Sequence, residues 1–192
     1  MIVSPSIASP TQPLTLAEYL ALPEGETGYE LIDGQIIAKM SPKRFHSRTQ
    51  KTLLYILDNW CQERGEVGIE WAVTLTRREQ DWVPIPDLLY VSCDRLPRDC
   101  LEDGPCPVPP ELAIEIISPD QNFGTILEKV MNYLAAGVLR VWVVDPRAKS
   151  ITVFYPDAPP QTFTGERVLT DEVLPDLQLT AQQVFQQAGL LP

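Results

Sequence analysis

A chain of 192 residues that is 44% hydrophobic and 21% charged has ordinary globular composition and enough length for one well-buried core. No run approaches the length of a membrane span, and a formal net charge of −11 argues against broad, salt-driven binding to a phosphate backbone, which draws its affinity from many lysine and arginine contacts. The four cysteines, Cys61, Cys93, Cys100 and Cys106, form no CxxC pair and read most simply as free thiols; a zinc site built from the last three with the lone His46 is the alternative, although structural zinc sites favour tighter paired spacing.

Residues 1–13, "MIVSPSIASPTQP", have neither a basic start nor an apolar signal core and read as a flexible Pro/Ser leader on a cytoplasmic protein. Residues 14–192 are expected to form a single domain. "LTLAEYLALP" predicts a short helix with Thr15 as N-cap and Glu18 at capping-box spacing. "YELIDGQIIAKM" predicts a hairpin turning at Asp33-Gly34, a pair suited to positive φ angles. A helix is expected from Pro42 or Lys43 to Arg64, with Leu53, Leu54, Ile56, Leu57 and Trp60 as its buried stripe and Gly65 as its stop.

The period then changes. "VGIEWAVTLT" alternates, which places Ile69, Trp71, Val73 and Leu75 on one face of a strand and Glu70 on the other. "WVPIPDLLYVS" predicts a second strand whose start Pro84 and Pro86 confine to an edge, an end or an irregular entry. "ELAIEIIS" is a third, apolar on both faces. "TILEKVMNYLAAG" predicts an amphipathic helix closed by Gly137, followed by strands in "VLRVWVVDP" and "SITVFY". The strand at 111–118, this helix and the strand at 138–145 make a βαβ unit with parallel strands. "VLPDLQLTAQQVFQQAG" predicts a short edge strand and a C-terminal helix with Thr180 and Gln183 as a capping box. The central order is α-β-β-β-α-β, an α/β fold with a mixed, twisted sheet.

Two carboxylates stand in unusual places. Glu115 interrupts a strand that reads as buried on both sides, and an ionised carboxylate there needs a partner. Asp87 follows Pro86 at the start of another apolar strand. If the two strands neighbour each other, both acids meet at one sheet edge, where they repel unless a cation or proton lies between them. Mg²⁺ or Mn²⁺, held by one or two carboxylates with water and substrate phosphate, answers that requirement and suggests phosphodiester hydrolysis. The bland alternative makes Asp87 a strand-entry turn residue and pairs Glu115 with an arginine. Five of the 15 basic residues, Lys39, Lys43, Arg44, Arg48 and Lys51, lie in an acid-free segment that also carries His46.

The core order, with "PD" at 86–87 and the acid in "ELAIEIIS", resembles the PD-(D/E)xK restriction-endonuclease-like superfamily. More closely, "YELIDGQI", "PDLLYVS", "AIEIISP", "EKVMNYLAAGV" and "WVVDP", in this order, resemble the large bacterial family of putative restriction endonucleases. The resemblance implies a restriction-endonuclease-like core in which Asp87 and Glu115 hold Mg²⁺ or Mn²⁺ with the backbone carbonyl of Ile116. The superfamily's usual lysine position is Ile117 here; the closer family supplies its lysine from the following helix, which points to Lys129. With Ile126 at zero on a helical wheel, Val130, Tyr133, Leu134 and Gly137 centre the apolar face and Lys129 falls on its border. Glu30 and His46 match a glutamate and a histidine of the family pattern and are further site candidates, and Glu70 is a weaker one. The implied substrate is DNA, contacted through Lys43, Arg44, Arg48 and Lys51, with a homodimer as one way to cut both strands. The family's acid four residues before the helix lysine is Thr125 here, and its "EYW" is Arg140-Val141-Trp142; these departures keep open a catalytically inactive binding or assembly module with the same fold.

Overall fold

In the computed structural model, which describes residues 13–22, 28–119 and 121–192, Asp33 and Gly34 take φ of 51° and 74° and close a tight hairpin between β1 (Tyr29–Ile32) and β2 (Gln35–Ala38). A side chain at Gly34 would put its Cβ 2.4 Å from Pro13 Cβ, so the turn needs glycine twice over. The short α1 (Leu16–Leu20) before it carries the expected capping box of Thr15 and Glu18. The leader, residues 1–13, lies outside the described residues except for Pro13.

The first long helix, α2 (Arg44–Cys61), buries Leu53 and Leu57 fully, while Leu54, Ile56 and Trp60 pack from its flank. It ends at Cys61 rather than Arg64. Gly65, expected as its stop, already belongs to β3 (Gly65–Ile69); a Cβ there would lie 2.2 Å from Val91 O, so glycine serves strand approach rather than helix termination. The continuous strand expected in "VGIEWAVTLT" is also divided. Its ladder stops at Ile69, Glu70 turns the chain at φ 48°, and Leu75 starts a separate hairpin of β4 (Leu75–Arg77) and β5 (Gln80–Trp82). The second predicted strand divides likewise around Pro84 and Pro86 into β5 and β6 (Leu88–Ser92).

The core unit follows the sequence closely. β7 (Leu112–Ile116), α3 (Phe123–Ala135) and β8 (Arg140–Asp145) form the βαβ unit, with β7 and β8 parallel from Leu112↔Arg140 to Ile116↔Val144. Gly137, at φ 95°, follows the end of α3 as expected. With β9 (Ser150–Phe154) and β10 (Gln161–Thr164) the main sheet runs in the order β10-β9-β8-β7-β6-β3, antiparallel except at β7–β8. β11 (Val168–Asp171) pairs with β12 (Leu174–Thr180), and α4 (Ala181–Gln187) starts at the expected capping box of Thr180 and Gln183.

Alternation across the sheet separates two cores. Leu88, Tyr90, Leu112, Ile114, Ile116, Trp142 and Val144 pack against α2, α4 and β12, while Leu89, Val91, Ala113, Val141 and Val143 pack against α3 and the β4–β5 hairpin. By the same alternation Glu115 lies on the α3 side. No helix among the described residues is long and apolar enough to cross a membrane.

Candidate active site

β6 and β7 are antiparallel neighbours, with Leu88 opposite Ile114. Continuing that register by one step sets Asp87 alongside Glu115. Both carboxylates are buried, and both line one cavity of about 280 Å³ whose walls include Glu30, Lys39, His46, Thr125 and Lys129.

Asp87 is held from three sides. The Ile116 N–H donates to Oδ2 at 2.7 Å, His46 Nε2 lies 2.9 Å from the same oxygen, and Lys39 Nζ lies 2.9 Å from Oδ1. Burial alone would raise this carboxyl, but the His46 hydrogen bond and the Lys39 charge outweigh it and bring it down to about 2. The ionised carboxylate only accepts, so His46 Nε2 carries the proton of that bond. His46 Nδ1 is buried with no hydrogen-bond partner among the described residues. Gln50, one turn along α2, donates to the Asp87 backbone carbonyl at 3.0 Å and to Glu70 Oε1 at 3.3 Å.

Glu115 has a different environment. Lys129 Nζ lies 2.9 Å from its Oε1, and the Tyr133 hydroxyl donates to the same oxygen at 2.9 Å. Lys129 also donates to Glu30 Oε1 at 2.7 Å, and that oxygen accepts the Ile85 N–H at 2.9 Å. Burial pushes the Glu115 carboxyl up; the Lys129 charge opposes this, and the negative charges of Asp87 and Glu30 add to it. Burial would lower the Lys129 ammonium, but Glu115 and Glu30 together hold it above its ordinary value. Burial and the neighbouring Glu115 raise the Tyr133 hydroxyl well above its usual range. At neutral pH the cluster therefore contains a fixed anion, Asp87, and a fixed cation, Lys129.

Five residues singled out in the sequence, Glu30, His46, Asp87, Glu115 and Lys129, meet in this cluster. Ile116 reaches it through its backbone N–H, which donates to Asp87 Oδ2, and not through the carbonyl expected as a metal ligand. Glu30, on the first hairpin arm, is buried, and Glu128, next to Lys129 on α3, pairs with Arg77 at 2.7 Å. Thr125 lines the cavity wall from α3. Ile117 packs with the core beneath α3. The basic segment divides. At 100° per residue Arg44, Arg48 and Lys51 fall opposite the His46 and Gln50 side of α2, while Lys43 precedes the helix as its extended N-cap; all four are exposed. His46, offered as a fourth ligand with three cysteines, is bonded to Asp87 instead.

Lys39 and Tyr133 were not picked out as members of the site. Tyr133 sits four residues after Lys129, the spacing that stacks two side chains on one helix face, and that was its available signal. Lys39 had its place in the acid-free basic segment with His46, a signal for phosphate contact rather than for pairing with Asp87.

The family model described as putative restriction endonuclease (Uma2) matches residues 16–182. Among solved structures the chain is similar to a putative nuclease belonging to DUF820 from Anabaena variabilis, at 27% sequence identity with a TM-score of 0.79, covering 92% of this chain and 99% of that one. No curated protein matches.

Proposed function

Because the chain belongs to the putative restriction endonuclease family, we propose that it is a Mg²⁺- or Mn²⁺-dependent DNA endonuclease that hydrolyses phosphodiester bonds. The observation that carries this reading is the joint placement of Asp87, Glu115 and Lys129 in one cavity, from two adjacent strands and the helix that follows them.

The donor set fits such an ion. Asp87 and Glu115 offer hard carboxylate oxygens from neighbouring strands, the one or two carboxylates that Mg²⁺ takes alongside water and substrate phosphate. When bound, a divalent ion lowers the pKa of its water and neutralises charge building on a phosphoryl group. The protein residues supply the rest. Lys129, kept charged by Glu115 and Glu30, orients an attacking water and donates to a phosphoryl oxygen. Asp87 stays anionic through neutral pH and is fixed in direction by the Ile116 N–H and His46. Lys43, the N-cap of α2 three residues before His46, meets substrate phosphate, and Arg44, Arg48 and Lys51 engage backbone farther from the cavity. In a homodimer two such cavities would address the two strands of a duplex.

One observation favours a second reading, a binding or assembly module without catalysis: both carboxylates already have ammonium partners within the protein, Lys39 and Lys129. Incubating the purified protein with supercoiled plasmid and with single-stranded DNA, under each metal, separates the two. Cleavage lost in Glu115→Gln and Lys129→Met is the expected result. No cleavage under either metal, or cleavage indifferent to both substitutions, would overturn the endonuclease reading.

A further inference from the structure

Lys39 is the part of the cavity that the metal reading does not use. It follows β2 directly, its N–H donates to Gly28 O at 2.9 Å, and its side chain turns inward so that Nζ meets Asp87 Oδ1 at 2.9 Å and Ile85 O at 3.1 Å. The two oxygens of Asp87 are held in different ways. Oδ2 takes the Ile116 N–H and His46, groups fixed by the β7 backbone and by α2. Oδ1 takes Lys39, a single charge on a flexible four-carbon stem. The Lys39 side chain keeps 18% of its surface accessible while that of Asp87 keeps 4%, and Lys39 lines the cavity itself. It therefore has room to leave without moving either strand.

A carboxylate oxygen cannot serve a divalent ion and an ammonium equally, since the two cations would stand within a few ångströms and repel. We propose that Lys39 is a tethered counter-ion of Asp87 in the metal-free protein, and that it leaves Oδ1 when a divalent cation enters. The inference rests on the metal-binding part of the reading above. It gives Lys39 a positioning role: it keeps the buried Asp87 carboxylate neutralised and in place until the ion arrives, and each binding event works against the Lys39–Asp87 pair. Removing the ammonium removes that competitor.

Calorimetric titration with MnCl₂ at neutral pH tests this on the wild-type chain, Lys39→Met and Asp87→Asn. The expected result is Mn²⁺ binding at least tenfold tighter in Lys39→Met and none in Asp87→Asn. Equal or weaker binding in Lys39→Met, with the wild type binding, overturns the counter-ion role and leaves the metal reading intact. No isotherm in wild type or Lys39→Met overturns both. A second readout needs no folded Met variant. The ¹³Cε–¹Hε signal of Lys39, assigned by its loss in Lys39→Arg, moves on titrating the wild type with Mg²⁺ if the ammonium is displaced. A signal unmoved at saturating Mg²⁺ overturns the proposal.

Discussion

Lys129 Nζ stands 2.9 Å from Glu115 Oε1, joining a helix residue to a strand residue across the α3 face of the sheet. The same nitrogen lies 2.7 Å from Glu30 Oε1, so one ammonium bridges two carboxylates. In the proposed reaction Lys129 takes from α3 the role of a strand lysine at position 117, which is Ile117 here. Replacing Lys129 by Met leaves Glu115 and Glu30 facing each other without a cation. Metal-supported plasmid cleavage is expected to fall by roughly 10²- to 10³-fold, the usual loss when one positioned donor to a developing anion is removed. Residual nicking rates of Lys129→Met against wild type check it; an unchanged rate would remove Lys129 from the reaction.

Burial raises the Glu115 carboxyl, so the folded state disfavours its charged form and the neutral amide should suit the fold better. In Glu115→Gln the Tyr133 hydroxyl keeps an acceptor and Lys129 keeps Glu30. The expected change is a gain on the order of 1 kcal/mol, a rise in Tm of about 2–4 °C for a chain of this size, together with loss of cleavage. The sign fixes its pH dependence. A carboxyl raised in the folded state destabilises most above its folded pKa, and acidification relieves it. The Tm advantage of Glu115→Gln should thus grow as pH rises and shrink as pH falls. Thermal melts across a pH series measure this.

Asp87 titrates with the opposite sign. Its folded pKa of about 2 lies below the usual 3.8, so ionised Asp87 favours the folded state. That contribution is complete above about pH 4 and is lost as pH falls from there towards 2. In Asp87→Asn this acid limb of the stability curve should flatten, while stability at pH 7 drops because Lys39 loses its partner. Urea midpoints at pH 7, 4 and 2.5 for the two proteins test the assignment. An equally steep acid limb in Asp87→Asn would place the titration elsewhere.

Arg140 anchors the β11–β12 hairpin to the main sheet. Its Nε lies 2.6 Å from Asp171 Oδ2, with 9% and 2% of the two side chains exposed. Arg140→Ala leaves a buried carboxylate without its cation, which costs about 3–5 kcal/mol. The double variant Arg140→Met, Asp171→Leu should recover most of that loss, since no charge is then left buried. Denaturant unfolding of the three proteins measures both effects; a double variant no better than Arg140→Ala would assign the loss to packing.

Local signals carried much of the fold. The Asp33-Gly34 turn, the capping boxes at Thr15 and Thr180, and the β7–α3–β8 unit each depend on residues close together in the chain. The failures share a different cause. Alternation in "VGIEWAVTLT" describes which residues could share a face, yet only pairing decides where a strand ends, and the partner ladder runs out at Ile69↔Leu88. β10 and β11, "QTFT" and "VLTD", hold too few apolar residues to announce themselves. Each is a strand because its antiparallel neighbour supplies a ladder.

For the site, the sequence by itself determined that Glu115 sits in a strand too apolar to leave its charge unmatched, and that Asp87 opens another such strand. Resemblance to a family added Glu30, His46 and Lys129. Only the tertiary structure decided how the charges are matched: Glu115 by Lys129 and Tyr133, Asp87 by Lys39, His46 and the Ile116 N–H. The need for a counter-ion follows from burial, which an apolar strand reveals through its own residues. The identity of the counter-ion depends on which distant segments the sheet and its flanking helices bring within about 3 Å, and no local pattern encodes that distance.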